Sequence, residues 1–325
     1  MRASLRTMLP VVPIAGAMLF ALTASPKQAG AADNEEDKAA FSERCATRVF
    51  GSLVGESAPA SAYANPQASV DTLLLDEKFR ERFARFINSQ FNMAPGAAPT
   101  EDASYYMARH VLTNDLPWAD MFVGKFDVQP VNAQQPMGEA RVVTNANGLG
   151  YFRSNAWALR YAGNELAGMR LVTAYRIMQN TVGLTLTATT ADPDAKPDAL
   201  SAEGRKAQNC AGCHFNNWYA LDLVASVLGT VRRNGMDVTF QPSTLGPQSI
   251  LGGVMVKDDA ELVQALVTNE AFDVNACRLA FKYLYGRQET SCEGPVFDAC
   301  VTAFKKDKKI TSALATVAKD PSFCE

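Results

Sequence analysis

The apolar residues of this chain recur mainly at the spacing of an amphipathic helix. Phe41, Cys45 and Val49 lie four residues apart, and residues 71–91 intersperse apolar and charged positions with a similar period. Because residues three and four apart share one face of a helix, both segments are predicted to be helices whose apolar face joins the core. The apolar face expected within 71–91 consists of Leu75, Phe79, Phe83 and Phe86 or Ile87.

The same periodicity extends over much of the chain and predicts a mostly α fold. Further helices are expected at residues 105–112, 117–122, 166–186, 201–210, 218–228, 274–285, 296–304 and 311–318. Asp258 and Glu261 form a capping-box pattern that should start another helix. Residues 93–100 and 235–253 are expected to be irregular, and 125–143 is expected to be a loop with short strands.

Residues 187–200 have the composition of a linker. They contain Pro193, Pro197 and three aspartates, and few of their side chains could pack in a core. The chain is therefore predicted to comprise an N-terminal helical domain at 32–186 and a C-terminal helical domain at 201–325.

The first 31 residues have the pattern of a secretory signal peptide. Arg2 and Arg6 precede an apolar run at 8–22, and small residues at 29–31 suit cleavage before Ala32. An uncleaved anchor is the alternative, but the run is short for a bilayer span. We therefore expect a periplasmic or extracellular protein whose mature chain has no membrane span.

Removal of this segment makes the chain more acidic. It takes away three basic residues and no acidic ones, so the formal charge moves from −3 to −6. This balance argues against a nucleic-acid partner and favours steering toward a basic protein. The chain also lacks the G-x-S-x-G, P-loop and H-E-x-x-H patterns of common hydrolases and nucleotide-binding proteins.

Cys210, Cys213 and His214 carry the most specific chemical signal in the chain. They form a C-x-x-C-H sequence, which is the attachment pattern of c-type haem. Two thiols at this spacing can add to the two vinyl groups of one porphyrin, and the adjacent histidine can then bind the iron as its proximal ligand. A disulfide or a zinc site beside a chance histidine is the alternative, but no second C-x-x-C supplies further zinc ligands. The sequence therefore predicts one covalent haem c.

The sixth iron ligand is left open by the sequence. Met255, which lies 41 residues after His214 on a strand-like segment, is the first candidate, and Met236 is the second. A methionine ligand favours electron transfer, whereas an open position favours chemistry on small molecules. His110 is the only other histidine and is more typical of a packing residue on a helix. Basic residues that could pair with haem propionates are Arg205, Lys206, Arg232 and Arg233.

The remaining cysteines are Cys45, Cys277, Cys292, Cys300 and Cys324. In an exported protein they are expected to form disulfides, with at least one bridge among the four near the C-terminus. We expect Cys292 to pair with Cys300, which leaves Cys277 for Cys324, although four cysteines allow three pairings. Cys45 fits either a buried free thiol or a bridge partner.

The order of elements around the motif resembles a cytochrome c domain. A helix leads into it, a loop-rich region follows, and the aromatic segment 280–287 is expected to pack over the leading helix beside the haem. The chain is also similar to the planctomycete-type cytochromes, a largely uncharacterised family of exported haem proteins. The segments that carry this second resemblance are 111–128, 148–152, 283–287, 288–293, 296–304 and 322–323. The resemblance implies an exported haem protein and defines no reaction.

These observations predict an exported monohaem c-type cytochrome that transfers single electrons to or from a redox partner protein. Two alternatives stay open. In the first, the protein is a haem enzyme whose N-terminal domain covers an open distal site. In the second, it is a haem-bearing subunit of a larger periplasmic complex.

Overall fold

The computed structural model describes most of the chain that follows residue 34. The described ranges are 35–97, 99–135, 138–161, 171–186, 201–234 and 237–325. The predicted signal peptide at 1–31 and the predicted linker at 187–200 lie outside the described residues.

Helices dominate the described structure, so the prediction of a mostly α fold is confirmed. The helices before the predicted linker are α1 (Glu35–Leu53), α2 (Val70–Leu74), α3 (Glu77–Phe91), α4 (Ala103–Thr113), α5 (Asp120–Val123), α6 (Asn155–Tyr161) and α7 (Leu171–Val182). The helices after it are α8 (Gln208–Ala211), α9 (Leu221–Val227), α10 (Asp259–Thr268), α11 (Glu270–Tyr285), α12 (Gly294–Asp307) and α13 (Ile310–Lys319). Among the described residues, no helix is both long enough and apolar enough to cross a membrane.

The strands within the described ranges form three antiparallel pairs. They are β1 (Phe126–Pro130) with β2 (Ala140–Thr144), β3 (Thr230–Asn234) with β4 (Asp237–Gln241), and β5 (Gln248–Ile250) with β6 (Val254–Val256). The first hairpin matches the short strands expected within 125–143. One strand of each of the other two pairs, β4 and β5, falls within 235–253, so the expectation of an irregular segment there is wrong in part. Pro242 and Pro247 lie between β4 and β5, where no ladder hydrogen bond is lost.

The single helix predicted over 71–91 is two helices in the structure. Asp76 separates α2 from α3 in an extended conformation, with φ −70° and ψ 142°. Its carboxylate accepts a hydrogen bond from the backbone N–H of Lys78 at 2.8 Å, which is the arrangement of a helix N-cap. This local cap outweighs the continuous periodicity, and Leu75 is consequently 68% exposed instead of buried.

Helix α11 lies at the centre of the C-terminal packing, against α7, α12 and α13. The ring of Tyr283 meets the rings of Phe79 and Phe83 edge-on, and its hydroxyl donates to the carbonyl of Leu53 at 3.0 Å. Segment 280–287 was expected to cover the helix that leads into the motif. Its aromatic rings instead pack on α3 and on Phe323, because those elements offer aromatic partners for edge-to-face contacts.

Side chains from both sides of the predicted linker meet in one hydrophobic cluster. The rings of Phe122 and Phe272 have centroids 5.7 Å apart. Asn275 donates to the carbonyl of Thr181 at 3.0 Å, so α11 also hydrogen-bonds to the end of α7. Helices from 32–186 and from 201–325 therefore contribute to a common core.

Two disulfides cross-link separate parts of the chain, and both differ from the pairings expected from the sequence. Cys277 on α11 bonds to Cys300 on α12 with a Cα–Cα distance of 6.0 Å, and both residues are fully buried. Cys45 on α1 bonds to Cys324 after α13 with a Cα–Cα distance of 4.7 Å. The expectation of at least one bridge near the C-terminus is confirmed.

The preferred Cys292–Cys300 pairing is wrong because the two residues face different surroundings. Cys292 lies in an exposed single turn of 3₁₀ helix and is a free thiol. Cys300 points from α12 into the core, where α11 presents Cys277. The disulfide partner of Cys300 is therefore decided by the helix that its side chain faces, and not by the nearest cysteine in the sequence.

We expect the Cys45–Cys324 bridge to contribute about 2–5 kcal/mol to the free energy of unfolding, because it closes a long loop in the unfolded chain. The bridged residues are 279 positions apart. Replacing both cysteines by alanine should lower the urea midpoint of the full chain under non-reducing conditions. Cys292→Ala, which removes an exposed thiol, is the control and should keep the wild-type midpoint. Equal midpoints for the double variant and this control would contradict the bridge.

Candidate functional site

The C-x-x-C-H motif spans the end of α8 and the turn that follows it. Helix α8 runs directly into a wider π-helical turn, Gly212–Asn216, which carries Cys213 and His214. The turn is closed by a hydrogen bond from the backbone N–H of Asn217 to the carbonyl of Gly212 at 2.9 Å. Turns of this kind are frequent at functional sites.

The thiols of the motif differ from most other cysteines of the chain. Cys210 and Cys213 are free, and Cys213 is exposed, whereas four other cysteines are used in the two disulfides. The hydroxyl of Tyr219 donates to the sulfur of Cys213 at 3.3 Å and accepts from the side-chain amide of Asn217 at 3.0 Å. The contact with Cys213, followed by burial, raises the pKa of Tyr219. The motif thus presents two reduced sulfurs, one of them held by a neighbouring side chain.

His214 is oriented by a buried carboxylate. Its Nδ1 lies 2.7 Å from Oδ2 of Asp222, which sits on the first turn of α9. Because a carboxylate accepts hydrogen bonds, Nδ1 is the donor in this contact, and in the neutral imidazole Nε2 then keeps its lone pair. The imidazole is therefore arranged to offer Nε2 to an electrophile or a metal.

Arg205 holds the same carboxylate from the opposite end of the motif. Its Nε donates to Oδ2 of Asp222 at 3.1 Å, and its Nη2 donates to Oδ1 at 3.0 Å. Both residues are only 7% exposed. The sequence suggested Arg205 as a partner for a haem propionate, but the structure gives its guanidinium to Asp222.

The other basic candidates lie differently. Lys206 is exposed and pairs with Glu203 at 2.9 Å, one helical turn away. The side chains of Arg232 and Arg233 lie outside the described residues. The described side chains of the four basic candidates therefore identify no partner for a haem propionate.

A cavity of about 860 Å³ lies beside the motif. Its lining includes Phe215, which directly follows His214, together with Asp222, Leu223 and Leu245. This volume is within the usual range for small-molecule and cofactor sites.

Large apolar side chains are exposed on the elements around the motif. Trp218, Leu245, Val254 and Met255 are 43%, 58%, 45% and 61% exposed. The hairpin β5–β6 is joined to the motif loop by a hydrogen bond from the N–H of Leu251 to the carbonyl of Trp218 at 2.9 Å. Of these four residues, Leu245 also lines the cavity. Exposed large apolar side chains are typical of a binding surface when they form a patch.

The structure places Met255 on β6, where it pairs with Ser249 across the hairpin. The strand-like segment expected around this residue is therefore present, and the thioether is accessible. Met236 lies outside the described residues.

His110 is part of the N-terminal helical packing. Its ring centroid is 4.6 Å from that of Phe126, and Asn114 contacts its Nδ1 at 3.3 Å. Burial lowers the pKa of His110, against an opposing effect of Asp120. These contacts describe a neutral, packed imidazole.

Asp222 is not among the site residues predicted from the sequence. A signal was present, because this residue is the single charged position in the otherwise apolar segment 220–225. Its contacts with Arg205 and His214 depend on the folded path of the chain, which spacing alone does not give.

Within the described ranges, no three His, Cys, Asp or Glu side chains converge in a way that could hold a metal ion. Comparisons of the chain with protein-family models, with curated proteins and with solved structures find no match. Its function is therefore inferred from its own residues.

The buried ion pair between Arg205 and Asp222 should stabilise the folded chain. Arg205→Leu leaves the Asp222 carboxylate buried without its cation, so we expect the free energy of unfolding to fall by about 3–5 kcal/mol. Arg205→Leu combined with Asp222→Leu should lose less, since no uncompensated charge remains. Urea denaturation of the full chain measures both, with exposed Lys206→Ala as the control. A single variant as stable as the control would show that the pair is not formed.

Proposed function

We propose that this protein is an exported c-type cytochrome that holds one haem covalently and transfers single electrons. One observation carries the proposal. The chain keeps Cys210, at the end of α8, and Cys213, on the turn that follows, as free thiols, and the next residue, His214, has its Nδ1 engaged by Asp222 and its Nε2 available. These are the three protein groups that haem c attachment requires.

The two cysteines suit the attachment chemistry. Each thiol adds across one vinyl double bond, so that a carbon–sulfur bond forms and the proton ends on the terminal vinyl carbon. The addition consumes no oxidant and no reductant, but it needs reduced sulfur. Cys210 and Cys213 meet this requirement, whereas Cys277 and Cys300 do not.

His214 would bind the iron through Nε2, with Asp222 holding the ring from the other side. When bound, haem supplies a one-electron iron couple whose potential depends on its ligands and surroundings. Phe215, Trp218 and Leu245 would bury the apolar porphyrin and exclude water. The exposure of Trp218 and Leu245, and the cavity that Phe215 and Leu245 line, support this assignment.

Several weaker features support the location and the partner class. The pattern of residues 1–31 favours export, and two disulfides favour an oxidising compartment. The acidic charge expected after cleavage favours a basic redox partner protein. The similarity of segments such as 283–287 to planctomycete-type cytochromes leads us to propose membership of that family, with the helical domains at 32–186 and 201–325.

A haem enzyme is the second candidate. The cavity of about 860 Å³ beside Asp222 and Phe215 favours it, because a substrate needs such a space. In this alternative the iron keeps an open position, and Met255 stays in solvent.

Attachment is tested by making the protein in a host that matures exported c-type cytochromes. We expect the wild-type band to stain for haem after denaturing electrophoresis, because thioether bonds survive denaturation. Cys213→Ala should lose most of the stain, since one thioether and the motif are lost. The matched control is Cys292→Ala, a free exposed cysteine outside the motif, which should keep full staining. A colourless wild-type band would refute the proposal.

The sixth ligand separates the carrier from the enzyme. If Met255 binds the iron, the oxidised protein should show the weak near-infrared band of sulfur ligation and the reduced protein should bind carbon monoxide slowly. Met255→Ala should abolish the band and speed carbon monoxide binding, while His110→Ala should change neither. Immediate carbon monoxide binding by the wild type would instead favour the enzyme. A spectrum altered by His110→Ala alone would assign the ligand to the N-terminal helices.

A further inference from the structure

The contacts of His214 extend the site beyond the motif. Asp222 and Arg205 have side chains that are only 5% and 8% exposed. Burying two charges costs several kcal/mol per ion, and good geometry is needed to offset this cost. The neighbours of Asp222 on α9, Leu221 and Leu223, are apolar. An apolar residue at position 222 would avoid the desolvation cost of a buried charge.

The carboxylate of Asp222 is positioned to accept a hydrogen bond from Nδ1 of His214. Oδ2 of Asp222 accepts from both Nε of Arg205 and Nδ1 of His214, while Oδ1 accepts from Nη2 of Arg205. A guanidinium that contacts both oxygens fixes the plane of the carboxylate. The distance to Nδ1, 2.7 Å, is typical of a charge-assisted hydrogen bond. The imidazole is thereby held in one orientation, with Nδ1 facing Asp222.

We propose that Asp222 is a positioning residue that makes His214 a stronger electron donor to the iron, and that Arg205 positions Asp222 in turn. This inference rests on the proposed function, because it concerns the ligand of the attached haem. A carboxylate that accepts the Nδ1 proton raises the basicity of the other ring nitrogen. A more basic ligand stabilises the oxidised iron more than the reduced iron, so the reduction potential falls.

The hydrogen bond between His214 and Asp222 would affect the direction of electron transfer. With Asp222 in place, the reduced protein gives up its electron more readily than the same haem would without this carboxylate. Asp222 therefore biases the protein toward the role of an electron donor. The bias does not depend on the identity of the sixth ligand, because it acts through His214.

The test is the midpoint potential of the haem-loaded full chain, measured by spectroelectrochemical titration. Asp222→Asn keeps the shape of the side chain but weakens the acceptor. We expect the equilibrium constant for reduction to rise at least tenfold, which corresponds to an upward shift of about 59 mV for one electron. An unchanged potential in a variant that retains covalent haem would overturn this inference and leave the proposed function intact.

A matched double variant separates the hydrogen bond from the charge. Arg205→Gln together with Asp222→Asn removes one positive and one negative charge, so the net charge of the pair stays the same. We expect its potential to stay above that of the wild type, because His214 has still lost its charged acceptor. A wild-type potential in the double variant would show that the single substitution acted only through net charge. Exposed Glu203→Gln, which removes a carboxylate near the motif without touching His214, should leave the potential nearly unchanged.

The wild type alone supplies an independent readout if Asp222→Asn does not fold. After photolysis of the ferrous carbon monoxide complex, resonance Raman gives the iron–histidine stretching frequency. A frequency shifted from that of a haem–imidazole complex toward that of a haem–imidazolate complex supports the proposal, and the imidazole value overturns it. A wild type that carries no covalent haem overturns both the inference and the proposed function.

Discussion

A carboxylate can remain in a protein core only when its charge is matched, and this constraint organises the segment that carries the motif. Arg205 lies before the motif, and Asp222 lies after it on α9. Their ion pair therefore ties together the two ends of the segment that presents Cys210, Cys213 and His214. The same carboxylate reaches His214, so the element that closes the segment also orients its histidine. A single buried contact thus links local folding to the chemistry proposed for the site.

The cysteines of the chain divide into four that form disulfides and three that are free thiols. Buried cysteines form the two disulfides, one of which joins α1 to the C-terminal segment after α13, across 279 positions. Cys210 on α8 and Cys213 on the turn that follows α8 are both free thiols. The bridged pairs stabilise a core that includes helices from both sides of the predicted linker. The thiols of the motif stay available for attachment because no other cysteine is bonded to them.

Much of the helical fold follows from periodicity, and the motif follows from its spacing. Local capping and long-range contacts were harder to anticipate. Asp76 breaks the helix expected over 71–91, since one side-chain cap competes with an unbroken apolar stripe. The pairing of Cys45 with Cys324 depends on how α1 packs near the C-terminal helices, which no local pattern encodes. Asp222 was visible as a charge in an apolar helix, but its partners were not, because hydrogen bonds between distant side chains arise only from the folded path.

We propose that Cys210 and Cys213 carry a covalent haem, and peptide mapping can detect this attachment. Trypsin should release residues 207–232 as one peptide, because the nearest cleavage sites are Lys206 and Arg232. In protein from a host that matures exported cytochromes, mass spectrometry should find this peptide increased by the mass of one haem, with neither thiol open to alkylation. The peptide at its unmodified mass, with both thiols alkylated or joined to each other, would contradict the account.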